Sequence, residues 1–329
     1  MQFALSEEQV AFRDAVRELL TAECPPAVLR SAWPDGDPAG VDRLWAALVE
    51  LDLPAALVPE PAGGLGLDET DLVALLEEVG RAAVPLPVAE HVLVAAPLLA
   101  AVGHPRLPDV VAGRVRVTVT GPDGLAPYGG RADLVLTLTG TAARLAPAPT
   151  GAVLPTVDGS RALIRCDDPG DLLTTDPELL AVSRLRTDLA DAAQLVGLAR
   201  RMLDLTVGYV GQRRQFGVPV GSFQAVKHHL AEALLRLELA VPTVRAAAWS
   251  VARRTPERDA DVSAAVLLAV DAARTMARTA IQCHGAIGYT VEYDLHLYAK
   301  RTWAVAARCD PDAHLDRLAG ALDLEAVPT

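Results

Sequence analysis

Little in this chain is aromatic: Phe, Trp and Tyr together make up 4% of 329 residues, and Ala and Leu dominate instead. That balance disfavours a large β-sandwich core and favours helix-on-helix packing. Cysteine is scarce too. Cys24, Cys166, Cys283 and Cys309 form no Cys-x-x-Cys pair and no metal-ligand spacing. This argues against a disulfide framework or a metal site, and a reduced, cytoplasmic protein is the expectation. No apolar run reaches the roughly 18 residues that a membrane-spanning helix needs. Residues 262–270, for example, are closed off by Asp261 and Asp271. Acids arrive as early as Glu7 and Glu8 with no basic and apolar leader before them, so no signal peptide is expected.

A basic excess is missing as well. The net charge is -12, and the excess acid is all N-terminal: residues 1–100 hold 17 Asp/Glu against 5 Lys/Arg, and the remainder holds 25 of each. A general nucleic-acid binder needs clustered cations to neutralise phosphates, so that class is excluded. Residues 184–301 do lean basic, with 16 Lys/Arg against 11 Asp/Glu, enough for a ligand carrying a few phosphates. With 51% hydrophobic and 22% charged residues over this length, a globular chain of two or three domains is expected.

Periodicity divides the chain in three. Ser6-Glu7-Glu8-Gln9 reads as a capping sequence ahead of Val10, Phe12, Val16, Leu19 and Leu20 at helical spacing. Further helices are expected over residues 44–51, from Asp68 or Asp71 to Gly80, and over 89–102 with a kink or break at Pro97. Residues 1–103 are therefore predicted to be an N-terminal helical domain. Alternation of Val115, Val117 and Val119 with polar residues, together with residues 134–139 and 162–164, predicts a short β domain within 104–182. From 183 to 329 the helical period returns, over residues 189–211, 223–254, 261–283 and about 291–310. Four helices there predict a C-terminal four-helix bundle, with a kink at Pro242. The fold class is mainly α with a small β insert.

Two stretches carry candidate chemistry. In Arg213-Arg214-Gln215-Phe216-Gly217, a guanidinium can meet a pyrophosphate in two-point fashion, Gln215 offers an amide, and Phe216 can pack on a flat ring. An ordinary helix end with arginine on its negative pole and Gly217 as the stop explains the same residues. In Gln282-Cys283-His284-Gly285-Ala286-Ile287-Gly288-Tyr289, glycine permits close backbone approach to a ligand and Gln282 can bond an oxygen. A left-handed cap and turn is the alternative. Neither follows a strand as Gly-x-Gly-x-x-Gly, so a Rossmann site is disfavoured. His228 and His229 are adjacent on a helix and cannot serve one metal, and Trp249 and Trp303 are assigned to packing. Cys283 and Cys309 lack an activating triad and are expected to be buried thiols.

Taken with residues 223–232, Glu8-Gln9, Val58-Pro59-Glu60, Gly63-Gly64-Leu65-Gly66 and Glu77-Glu78-Val79-Gly80-Arg81, these motifs fall in the order of the acyl-CoA dehydrogenase family. The chain resembles that family almost throughout, except in the middle. The resemblance implies FAD bound across a subunit interface. Arg213 and Gln215 would reach the pyrophosphate end, with Phe216 beside them, and Gln282, Gly285 and Ala286 would lie on the same dinucleotide-binding surface.

Two departures accompany the resemblance. Removing the α proton of an acyl thioester needs a placed carboxylate. Aligned on Ala299-Lys300, the family's glutamate falls near Ala306, and no acid lies between Asp294 and Asp310. An alternative location used in some members falls beside Asp188, which reads equally as a helix N-cap. The middle domain is also short and lacks the family's aromatic-Ile-Thr segment. The resemblance is therefore to the small, catalytically incomplete subunit of α2β2 bacterial dehydrogenases acting on steroid side-chain CoA thioesters. A larger subunit would supply the glutamate and most of the acyl-CoA pocket, and an electron-transfer flavoprotein would take the electrons. The rivals are a self-sufficient homo-oligomeric enzyme with Asp188 as base, and a flavin-free scaffold of the same fold.

Overall fold

The computed structural model describes residues 4–324 apart from Asp35, Pro122 and Pro169. The first helix, α1 (Glu7–Glu23), starts at a reciprocal cap: the Gln9 amide N–H donates to Ser6 Oγ at 3.2 Å, and the Ser6 N–H donates to Gln9 Oε1 at 2.9 Å. Helices α2 (Pro26–Ser31) and α3 (Ala39–Glu50) follow, the latter burying Val41, Leu44, Trp45 and Leu48. Asp68 caps α4 (Glu69–Arg81), and Asp71 completes the capping box. The break expected at Pro97 is absorbed by a wider π-helical turn, Glu90–Ala95, that runs directly into α5 (Ala96–Ala101). Widening the turn accommodates a residue that has no N–H to give. Helix α6 (Leu107–Val111) closes this part of the chain.

Strand β1 (Val117–Val119) is parallel to β3 (Leu134–Leu138), which is antiparallel to β4 (Ala143–Pro147); β4 in turn pairs antiparallel with β6 (Asp171–Thr174). The short pair β2 (Leu125–Ala126) and β5 (Ile164–Arg165) stands apart from this sheet. The remainder is helical: α7 (Pro177–Gln212), a hairpin of β7 (Arg214–Gln215) and β8 (Val218–Pro219), α8 (Gln224–Arg253), α9 (Arg258–His284), α10 (Leu295–Ala306) and α11 (Pro311–Ala321).

Several expectations are corrected in detail. Asp188 is no N-cap, because α7 begins a dozen residues earlier, where Asp176 accepts from the N–H groups of Glu178 and Leu179. The helix expected over 291–310 is shorter, and a separate α11 follows it. As expected, Pro242 lies inside helix α8. Trp303, expected to pack in the core or at an interface, is 41% exposed.

Helix α4 is buried along most of its length, and its three buried glutamates meet arginines from three other helices. Arg17 of α1 lies 2.6 Å from Glu78, Arg186 of α7 lies 2.7 Å from Glu69, and Arg245 of α8 lies 3.4 Å from Glu77. Its crossing with α7 is backbone against backbone: a Cβ on Gly197 would stand 1.8 Å from the Glu77 carbonyl oxygen, and one on Gly80 would stand 2.2 Å from that of Gln194. Only glycine permits that approach.

Two buried polar residues join the parts. Arg301 of α10 pairs with Asp158 and donates to Ser160 Oγ at 2.8 Å and to the Val84 carbonyl at 3.0 Å. His91 bridges the π-turn to the sheet: Nε2 donates to the Val110 carbonyl at 3.2 Å and Nδ1 accepts from the Val117 N–H at 3.1 Å. Both ring nitrogens are thus committed to the neutral form, and burial lowers the His91 pKa to about 4.

Arg301→Met strands the Asp158 carboxylate in the interior. Chemical denaturation should show a loss of about 3 to 5 kcal/mol, and a loss below about 1 kcal/mol would contradict the joint's role. A buried neutral histidine contributes stability that is complete above its unfolded pKa of about 6.5 and is lost as pH falls toward 4. The stability gap between wild type and His91→Leu should therefore shrink by about 3 kcal/mol between pH 7.5 and pH 4, and a gap independent of pH would rule this out.

Candidate functional site

The two candidate stretches lie at one end of the bundle. Helix α7 ends at Gln212, and the Arg213 N–H still donates to the Tyr209 carbonyl at 2.8 Å. The chain then turns back in the β7–β8 hairpin, with Arg214 opposite Pro219 and Gln215 opposite Val218. Phe216 and Gly217 occupy its tip with positive φ, 51° and 81°. Arg214 braces the tip by donating to the Gly217 carbonyl at 2.7 Å. Arg213 is exposed and enters none of the ion pairs among the described residues, which leaves its guanidinium available. Gln215 is exposed, and Phe216 is 92% exposed with only Phe223 beside it, ring centres 6.2 Å apart.

At the end of α9, Gln282 and Ala286 are exposed. Gly285 has φ 67° and ψ −143°, a conformation essentially reserved for glycine, and a Cβ placed there would meet nothing within 4 Å. The backbone at this point is open to a ligand. An aromatic trio joins the two stretches: Tyr209 stacks on His284 with ring centres 4.3 Å apart, and Tyr293 lies 4.9 Å from His284 and 5.7 Å from Tyr209. The His284 ring donates from Nδ1 to the Ala280 carbonyl at 2.7 Å, and burial lowers its pKa. Sequence reasoning missed this trio, whose members are 75 and 84 residues from Tyr209; the signal available was a histidine and a tyrosine flanking a Gly-rich turn. Cys283 is half-buried rather than buried, and Cys309 is buried.

A second feature lies elsewhere. A cavity of about 630 Å³ opens between the ends of β1 and β3, the first turns of α7 and the α10–α11 junction. Thr120 is buried on its wall with a hydroxyl that has no partner. Asp188 also lines it, 3.6 Å from Arg184 and 3.9 Å from Arg317. Burial pushes the Asp188 carboxyl up to about 6, against the pull of those two guanidinium groups. Arg308 sits between Glu90 at 3.3 Å and Asp191 at 3.7 Å, and its pKa is raised by them even though it is buried. Ala306 is buried, and its carbonyl accepts from Arg274 at 3.3 Å.

Asp188 and Arg213 both belong to α7 or its immediate end, 25 residues apart. At 1.5 Å per residue they are separated by roughly 37 Å along the helix. The exposed hairpin residues that follow α7 and the cavity lined by its first turns are thus toward opposite ends of one helix.

Known proteins are similar to this chain in sequence and fold. Residues 6–108 match the acyl-CoA dehydrogenase N-terminal domain family, and residues 180–306 match the acyl-CoA dehydrogenase C-terminal domain family. Acyl-CoA dehydrogenase IpdE2 of Mycobacterium tuberculosis is 34% identical over 300 residues, which cover 90% of this chain and 91% of that protein. IpdE2 of Mycolicibacterium smegmatis is 32% identical over 311 residues, covering 93% and 96%. Among solved structures, the ChsE4-ChsE5 complex from Mycobacterium tuberculosis superposes with a TM-score of 0.82 at 25% identity, over 99% of this chain and 100% of the matched one. A variant of the Tcur3481-Tcur3483 steroid ACAD gives 0.81 at 25% identity, over 96% and 98%. The chain belongs to the acyl-CoA dehydrogenase family of FAD-dependent flavoproteins, with helical N- and C-terminal parts flanking a small sheet.

Proposed function

We propose that this chain is the smaller, catalytically incomplete subunit of a heteromeric α2β2 acyl-CoA dehydrogenase that desaturates the side-chain CoA thioester of a steroid. The observation that carries the reading is the separation along α7 of roughly 33 Å between Arg213 and Asp191, the α7 residue lining the chain's own cavity that comes nearest to it in sequence. That distance is longer than a flavin dinucleotide can stretch, so the grip serves an FAD whose ring lies in another subunit. Its neighbours in structure include one described as a complex and one described as a steroid ACAD, which supports the same assembly and substrate class.

The residues present suit the pyrophosphate and adenosine end of FAD. Arg213 has an unengaged guanidinium, Gln215 and Gln282 have exposed amides, Phe216 offers an exposed ring face, and Gly285 and Ala286 present open backbone. Bound flavin supplies the hydride acceptor for α,β-desaturation. This chain's residues bind and orient, while the larger subunit contributes the glutamate and most of the acyl-CoA pocket, and an electron-transfer flavoprotein reoxidises the complex. The domains are assigned as 1–103, 104–182 and 183–329, and the complex is assigned to the cytoplasm.

Co-expressed with its larger partner, the chain should form an α2β2 complex with about one FAD per unlike pair; by itself it should be inactive. Oxidation of acyl-CoA by the purified chain alone would defeat the reading, and absence of flavin from both states would favour a scaffold. Loss of one charge-assisted contact costs about 1.5 to 3 kcal/mol, so Arg213→Ala should weaken FAD binding in the complex by roughly 10- to 150-fold. Unchanged flavin occupancy would remove Arg213 from the site.

One observation favours a second reading. Asp188 lines a cavity of about 630 Å³ with a carboxyl pKa near 6, suited to taking a proton at neutral pH. As a base in a self-sufficient enzyme, it would make Asp188→Asn lose at least about 100-fold in kcat. On the leading reading that variant of the complex keeps its rate.

A further inference from the structure

The cavity at the first turns of α7 takes no part in the flavin grip that follows the far end of that helix. Its volume of about 630 Å³ falls in the range of small-molecule pockets and is roughly twenty times the share of one water in the liquid. Between its charged residues the wall is apolar, from Val119 and Leu138 at the strand ends to Pro177, Leu180 and Ala181 of α7 and Ala313 of α11. A volume of that size bounded by apolar side chains favours an occupant with an apolar body.

The polar part of the wall is unfinished. Thr120 Oγ1, Arg184 Nη1 and Asp188 Oδ2 are all buried and have no hydrogen-bond partner among the described residues. Thr120 is only 6% exposed. Arg184 Nη1 stands 3.6 Å from Asp188 Oδ2, too far for a hydrogen bond, so a donor and an acceptor lie open side by side. Leaving such groups unpaired is costly, and together they define the chemistry that would satisfy them. An anion would be repelled by Asp188, and a cation would meet the guanidinium groups of Arg184 and Arg317. A neutral hydroxyl meets neither penalty. It is the smallest uncharged group that accepts from Arg184 and donates to Asp188 through one atom, and the Thr120 hydroxyl can serve a second oxygen.

We propose that this cavity is a binding site for a neutral, mainly apolar alcohol, separate from both the flavin and the thioester that is desaturated. The separation from the thioester rests on the reading that desaturation takes place on the larger subunit. An occupant would touch the sheet, α7 and α11 at once and so tie the β insert to the helices on either side of the cavity.

The test is calorimetric titration at pH 7.5 with 2,6-dihydroxynaphthalene, a rigid apolar diol, and with its dimethyl ether, which has lost both donors. Both the isolated full-length chain and the co-expressed complex are titrated. One diol should bind per copy of this chain, and the ether should bind at least about tenfold more weakly. Thr120→Val keeps the shape of the side chain and should weaken diol binding by about 2- to 12-fold, while Leu180→Trp fills the cavity and should abolish it. Circular dichroism checks both variants, and Thr120→Val carries the test if Leu180→Trp does not fold. The inference is overturned by an absence of saturable diol binding, by equal binding of the ether, or by diol binding that Thr120→Val leaves unchanged. Turnover of the complex separates these failures from that of the reading beneath. Where the diol does not bind and acyl-CoA oxidation by the complex is intact, the inference falls and the larger subunit keeps its role. Competition between diol and acyl-CoA that Thr120→Val relieves would put the thioester itself in the cavity, and both would fail.

Discussion

A single buried guanidinium sets the relation between the three parts of the chain. Arg301 is 2% exposed, and its partners come from the β insert, Asp158 and Ser160, and from the N-terminal segment, Val84. Tyr128 lies with its ring centre 5.5 Å from the guanidinium carbon. Removing a cation from water is offset only when its donors are matched, and here three separate segments must arrive together to match them. The joint therefore acts as a coincidence requirement: α10 has its register only if the insert and the N-terminal helices are in place. Seven residues on, Arg308 repeats the device between Glu90 of the π-turn and Asp191 of α7. Of the two, Arg308 also lines the cavity.

That arrangement bears on the residues proposed to grip flavin and on the absence of an acid near Ala306. The grip is built outward: a hairpin whose tip has positive φ, an open glycine and an unengaged arginine, all exposed. The aromatic trio of Tyr209, His284 and Tyr293 packs the end of α7 against the end of α9 beside it. Exposure of this kind is costly for an aromatic ring unless another surface arrives. The cavity, in contrast, is built inward and is crowded with charge. The two ends of α7 thus have different purposes, and the 36-residue length of that helix keeps them apart.

How much of this was legible in the sequence depends on whether the determining contacts are local. Ser6 and Asp68 announce their helices because a cap needs only the next three residues, and β1 and β3 show the alternation of a strand in sequence although β1 is buried on both faces. Strands β4 and β6 escaped notice. Ala143 to Pro147 has no β-branched or aromatic residue, and it is a strand because β3 and β6 flank it on both sides. Asp188 misled for a related reason. An aspartate before an apolar run is a fair cap, yet here it sits inside α7, where Arg184 and Arg317 receive its charge, and Arg317 is 129 residues away in sequence. For the candidate site, Arg213 to Gly217 and Gln282 to Ala286 could be picked out as motifs, whereas the trio that unites them is a product of packing.

The cavity also shows why the missing acid is more than one absent side chain. Ala306 is buried, and Arg274 occupies its carbonyl. Two positions later Arg308 is held by two carboxylates, and the neighbouring Cys309 thiol is pushed well up by burial. A carboxylate placed at 306 would meet burial, which raises its pKa, and Arg274, which bonds the Ala306 carbonyl and enters no ion pair among the described residues, while Arg308 is already held by two carboxylates. On the proposed reading the chain's part in the complex is recognition, carried by the exposed hairpin and the open backbone at Gly285.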